Sequence, residues 1–212
     1  QQTAGYATTF VAQYFGAKEY DKIGAYIWQA IYICLIGGIL FSGLQFGSTW
    51  FFSLVGHPEN TRQLEIAYFD SISYTALPTA LVAVVSGFFT GVGKTRIVIG
   101  INLVGLLLNA VLDYFMIFGK FGFPAMGIAG AGYATTLATY GSAFYGFYLM
   151  FSSQSKQYNL LENCKIQFDK IKHFLKYGLP SGLQWALEGL AFTVFIMIMG
   201  NLENGEAALA SS

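Results

Sequence analysis

Residues 97–119, IVIGINLVGLLLNAVLDYFMIFG, decide the fold. This stretch holds a single charge, Asp113, and is apolar nearly all round. A helix that crosses a bilayer needs about 20 mostly apolar residues. Within lipid the backbone must satisfy its own hydrogen bonds, and a helix does so. A membrane strand is excluded, because the run is too long and does not alternate with period two. Working outward, the same pattern recurs. No acid or base separates Lys22 from Glu59, which predicts a span at about 23–44. Residues 45–56 then form its amphipathic exit, with Trp50, Phe51 and Phe52 at the lipid headgroups. Residues 66–93 carry only Asp70 and give another span, in which Pro78 removes a backbone hydrogen bond and kinks the helix. Between 121 and 155 there is no charge; 122–127 read as a turn through Pro124, and 128–151 as a further span. Beyond 177 the only charge before Leu202 is Glu188, giving one more span, with Pro180 as a first-turn proline at its start. Residues 1–16 read as the tail of an earlier helix that ends at Gly16, Ala17 and Lys18.

The composition agrees. Of 212 residues, 55% are hydrophobic and 10% charged, 11 basic against 11 acidic, and the mean hydropathy is +0.52. Soluble domains carry about 25% charged residues. The shortfall excludes an ordinary soluble globule, a disordered tail and a nucleic-acid binder driven by charge. Cys34 sits in an apolar run and Cys164 in a charged one, and both read as free thiols. The chain reads as an internal piece of a longer protein.

Lysine and arginine orient the spans. The connections at 17–22, 94–96 and 152–176 hold Lys18, Lys22, Lys94, Arg96, Lys156, Lys165, Lys170, Lys172 and Lys176. The alternate connections hold only Arg62 and Lys120. The first set is therefore expected in the cytoplasm, in a multi-pass protein of the cell membrane. Residues 152–176 mix charges with Ile166, Phe168, Ile171, Phe174 and Leu175. They predict an amphipathic surface helix that links two bundles.

Three carboxylates fall inside spans: Asp70, Asp113 and Glu188. A charge at the bilayer centre costs about 2.5–3.5 kcal/mol on insertion scales. Such groups face a bundle interior or a watery cavity, unless they sit near a helix end within reach of headgroup water. Asp70 lies closest to an end and Glu188 nearest mid-span. Asn109 is four residues before Asp113 and Asn102 seven before that, so the three share one helix face. That strip reads either as interhelical packing glue or as an oxygen-rich pocket for a proton or Na⁺, completed by the hydroxyl of Thr135 or Thr136. His57 and His173 share no metal-ligand spacing, and no Cys/His cluster, phosphate loop or Ser–His–Asp set is present. A membrane-embedded enzyme would need some such group.

Four stretches carry a family likeness: TFVAQYFGAK (9–18); GVGKTR (91–96); NLVGLLLNAVLDYFMIFG (102–119) followed by GIAGAGYAT (127–135); and GLPSGLQ (178–184) with Glu188. In this order the sequence resembles the multidrug and toxic compound extrusion (MATE) family of cation-coupled efflux transporters. The resemblance implies an all-α polytopic membrane protein with twelve helices in two six-helix lobes. Residues 1–151 would supply helices 2–6 of the N-lobe, 152–176 the inter-lobe linker and 177–212 the first helix of the C-lobe. It implies that Glu188, eight residues after Pro180, takes part in cation coupling in the C-lobe. It also implies that Asn109, Asp113 and Thr135 contribute to an N-lobe site that in some members holds H⁺ or Na⁺. Asn102, Asp70 and Gln184 are secondary polar candidates.

The implied activity is antiport of organic, often cationic, small molecules by a monomer in the lipid bilayer, with H⁺ or Na⁺ as coupling ion, no other cofactor and no nucleic acid. A lipid-linked oligosaccharide flippase of related architecture is the nearest rival. It is disfavoured because no Lys or Arg lies within a span, whereas such proteins hold phosphates with basic cavity residues. A non-transporting assembly subunit would have little use for buried carboxylates.

Overall fold

A computed structural model of the chain describes residues 2–55, 58–153 and 156–200; His57 and everything past Gly200 lie outside them. The described residues form helices with no strand. In chain order these are α1 (Gln2–Gly5), α2 (Ala7–Gly16), α3 (Tyr20–Ser42), a 3₁₀ turn (Gly43–Gly47), α4 (Ser48–Val55), α5 (Glu59–Ser73), α6 (Ala76–Gly91), α7 (Thr95–Phe118), α8 (Gly127–Ser153) and α9 (Phe168–Gly200). Among the described residues, two stretches are long and apolar enough to cross a membrane, Tyr20–Ser53 and Thr95–Phe118. The α5–α6 pair makes a third if it is taken as one bent span. On α7, Ile99, Leu103, Leu106, Leu107 and Val111 are all at least half exposed, an outward apolar face that suits lipid and not water.

The tightest packing gathers at one end of the bundle, where α2 and α6 finish, α3 and α7 begin and α8 ends. There Phe10, Val11, Ile23, Ile27, Phe88, Phe89, Ile101 and Met150 are buried together. Small residues set the helix spacing. A methyl group at Gly87 would lie 2.9 Å from the Thr8 hydroxyl, and one at Gly91 2.7 Å from the Val11 side chain, so α6 meets α1–α2 along a glycine edge. Gly38 on α3 likewise admits Leu77 of α6.

The structure departs from the sequence reading in three places. The stretch 66–93 is not one continuous helix. Its helix starts earlier, at Glu59, and breaks at Tyr74 and Thr75 with a 40° bend. Pro78 explains the position of the break, since its ring would clash with the carbonyl four residues back, that of Tyr74. Pro78 then sits in the first turn of α6, where a missing N–H leaves nothing unpaired. Second, the linker is helical only in its last part. Residues 156–162 form turns, and helix resumes only at Phe168. Third, Pro180 is not a first-turn residue. It lies inside α9, which runs without interruption from the polar linker into the apolar span.

The break in α5–α6 is held by α8. The Thr136 hydroxyl lies 2.6 Å from that of Thr75, 3.3 Å from the Ser71 carbonyl and 3.0 Å from the Gly132 carbonyl. Each hydroxyl has one proton. Thr75 therefore donates to Thr136, which passes its own proton to one of the two carbonyls. Removing the Thr136 hydroxyl leaves buried polar groups unpaired. Thr136→Val is expected to cost about 1–3 kcal/mol, read as a lowered Tm of the intact protein, with Thr136→Ser near wild type.

Candidate functional site

The α7–α8 hairpin builds the site. Gly119 adopts a left-handed conformation (φ 65°) and ends α7, with a methyl there 2.8 Å from the Ala125 nitrogen. The Met126 N–H returns to the Met116 carbonyl at 3.0 Å. Gly130 then passes so near α7 that a methyl would lie 2.6 Å from the Met116 carbonyl oxygen. Gly105 against Ser142, and Gly141 against Leu108, continue this close seam along the two helices.

Across the seam Asn109 donates from Nδ2 to the Thr135 hydroxyl at 3.3 Å, and that hydroxyl donates to the Ala131 carbonyl at 2.9 Å. The two candidate hydroxyls thus divide: Thr135 faces Asn109, while Thr136 turns to the α5–α6 break. One turn beyond Asn109, Asp113 is half-buried, and its Oδ1 is shielded from solvent with no hydrogen-bond partner among the described residues. An amide, a hydroxyl and an unpaired carboxylate oxygen are the kinds of oxygen donor that a hard monovalent cation takes, and the carboxylate can take a proton instead. No group of three or more His, Cys, Asp or Glu able to hold a metal occurs among the described residues.

Asn102 is exposed on α7. Asp70, on α5, is half-buried, and its Oδ1 also has no hydrogen-bond partner among the described residues. Glu188 stands apart. It and Gln184 are exposed on α9 and bond to each other, Gln184 Nε2 to Glu188 Oε1 at 2.9 Å. Because α9 packs on α1 and α3, Glu188 and Asp113 belong to helices without extensive mutual contact.

Sequence reasoning missed how the linker is held. Gln29, fully buried on α3, donates from Nε2 to the Lys165 carbonyl at 3.1 Å and accepts the Gln167 N–H at 3.0 Å. Trp28 donates to the Leu160 carbonyl and Tyr32 to the Cys164 carbonyl. Tyr158 and Leu160 are buried, and Gly24 leaves room for the Asn159 carbonyl. At the start of α9, the Tyr26 hydroxyl lies 3.3 Å from His173 Nδ1, and the Tyr14 hydroxyl donates to that of Tyr26 at 3.1 Å. The only sequence signal for this strap was the run of polar-capable side chains Trp28, Gln29 and Tyr32 within an otherwise apolar span.

Comparison with known proteins agrees with this architecture. Similar curated proteins include the "Probable multidrug resistance protein NorM" of Bacillus subtilis, 30% identical over 199 residues, covering 92% of this chain and 44% of the relative. The NorM of Thermotoga maritima is 28% identical over 202 residues, covering 92% and 41%. The chain thus spans less than half the length of the curated relatives it matches. Among solved structures, a transporter of the MOP superfamily from Pyrococcus furiosus superposes with a TM-score of 0.85 at 22% identity, over 99% of this chain and 46% of that one. An inward-facing multidrug resistance MATE family transporter gives 0.79 at 23% identity, over 96% and 47%. At that identity the likeness establishes the fold, that of a MATE transporter. The MatE family profile matches residues 4–115, more than half of the sequence, and the chain belongs to the MatE family.

Proposed function

We propose that the intact protein is a cation-coupled antiporter that exports organic, often cationic, compounds by alternating access. Asp113, with Asn109 and Thr135, carries the coupling ion, H⁺ or Na⁺, and Glu188, with Gln184 beside it, is a second coupling group. The observation that carries this reading is the shielded, unpaired oxygen of Asp113 one turn from the Asn109–Thr135 bond. Burying a carboxylate without partners is costly, and a proton or a cation relieves that cost. An ion that binds one lobe arrangement better than the other shifts the balance between inward- and outward-open states by that difference in affinity. The names of the similar proteins support multidrug export. The basic connections at 17–22, 94–96 and 152–176 face the cytoplasm of a cell-membrane protein that works as a monomer.

The test follows a fluorescent lipophilic cation in cells that lack their own pumps and express the full-length protein. Dye should be excluded while a proton or Na⁺ gradient stands and should enter when the gradient collapses. Accumulation equal to empty vector, with the protein present in the membrane, would count against drug antiport.

A further inference from the structure

The first turns of α9 have two unlike faces. At 100° per residue, Lys170, His173, Phe174 and Tyr177 turn toward α2 and α3. Phe174 is buried there and stacks near Phe10, at 5.5 Å between ring centroids. Lys170 lies 5.5 Å from the Tyr26 ring centroid, and burial, then the nearby Lys22 charge, push its pKa down. The opposite face carries Phe168, Ile171, Leu175 and Leu179 in one apolar stripe, edged by Lys172 and Lys176 one turn apart. Together with Asp169 these residues line a shallow open depression. Phe168 is 80% exposed and Leu179 56%, Ile171 and Leu175 are half-buried, and Leu175 and Leu179 also border a cavity lined by Thr3, Ala4 and Ile33.

The charge on this face is positive. Neither Lys172 nor Lys176 has a carboxylate partner among the described residues, although Lys176 lies 5.6 Å from the Tyr177 ring centroid. Asp169 sits in the first turn of α9, where a carboxylate offsets the helix dipole. Depth follows from length. With 33 residues at about 1.5 Å each, α9 is about 50 Å long, against about 30 Å of hydrocarbon. With its apolar remainder as the span that the charge gap after Tyr177 predicts, its polar first turns lie at headgroup level. The strap bound by Gln29 and Trp28 is held on the α3 side and leaves this face open.

We propose that this face of α9 seats an anionic phospholipid, with Lys172 and Lys176 on its phosphate and Phe168, Ile171, Leu175 and Leu179 along its acyl chains. An apolar floor with a cationic edge at headgroup depth matches a lipid that has both parts, and a free phosphate ion would leave the stripe unused. Two lysines near an anionic surface strengthen attraction about tenfold or more over a zwitterionic one. This assignment does not depend on the transport reading.

The test is native mass spectrometry of the full-length protein released from detergent, titrated with phosphatidylglycerol or with phosphatidylcholine of the same acyl chains. Wild type should retain a phosphatidylglycerol at roughly tenfold lower lipid concentration than phosphatidylcholine. Lys172→Gln/Lys176→Gln should lose that preference, and Lys172→Arg/Lys176→Arg, which keeps the charge, should retain it. Phe168→Ser should weaken retention of both lipids. Equal retention of the two lipids by wild type, or an undiminished preference in the glutamine double variant, would overturn the proposal.

Discussion

In the full-length protein, Asp113→Asn is expected to cut gradient-driven export of a lipophilic cation by at least about tenfold, the consequence of losing some 1.4 kcal/mol of charge-dependent stabilisation. The protein itself should remain folded. Asparagine nearly matches aspartate in volume, and the α7–α8 seam is set by Gly105, Gly130 and Gly141, not by the carboxylate. The variant separates coupling from packing. If Asp113 were only interhelical glue, an amide in its place would do as well or better, since it brings donors to a site whose Oδ1 has no partner. Glu188→Gln probes the second group, and glutamine nearly matches glutamate in volume. Full export by both variants would remove the ion-coupling reading of these carboxylates.

The second large effect belongs to the strap. Gly24→Val is expected to destabilise the intact protein by about 3 kcal/mol or more, because overpacking a close contact forces backbone shifts. A Cβ at Gly24 would lie 2.6 Å from the Asn159 carbonyl oxygen and 2.7 Å from that of Tyr158, and backbone atoms cannot swing aside as a long side chain can. Asn159 is already held at a positive φ of 46°. Moving this turn would also pull Tyr158 and Leu160 from the core and unseat the carbonyls that Trp28 and Gln29 hold. The measurement is the Tm of purified protein together with limited proteolysis across residues 156–167. A Tm within a degree of wild type, and unchanged cleavage, would mean that the linker is not anchored there.

The strap also fixes where the start of α9 sits. Since α3 grips the linker, and Phe174 and His173 pack against Phe10 and Tyr26, the first turns of α9 move with α2 and α3. Beyond Gly182, where α9 still touches Thr3, its side chains up to Phe195 are mostly exposed.

The membrane class was legible because it rests on composition and on the distance between charges, which tertiary contacts do not change. The α7 stretch is the clearest case: 97–119 in the sequence, Thr95–Phe118 as a helix. The Asn109–Thr135 contact joins two residues 26 apart. It was reached through family resemblance and through the i, i+4 relation of Asn109 and Asp113, not through spacing alone. What the sequence hid depends on partners far along the chain. The amphipathic pattern of 152–176 fits a surface helix, but Gln29, some 136 residues away, offers the backbone of Lys165 and Gln167 better partners than water does. Pro180 reads as a helix start because the charge gap opens at Tyr177, three residues before it. The residues before it continue the helix because Phe174 gains a buried site on α2 and α3. The α5–α6 break was half-legible: Pro78 places it at Tyr74, but the Thr136 hydroxyl that bonds to Thr75 there comes from another helix.

Antiport requires that substrate and coupling ion exchange at the same protein. The most direct measurement uses purified full-length protein in a weakly buffered or Na⁺-sensing solution, titrated with a lipophilic cation. Wild type should release about one H⁺ or Na⁺ for each cation bound, by the differential binding that couples the two, and Asp113→Asn/Glu188→Gln should release none. Release by the double variant at the wild-type ratio, or cation binding by wild type with no ion released at any pH or Na⁺ concentration, would contradict it.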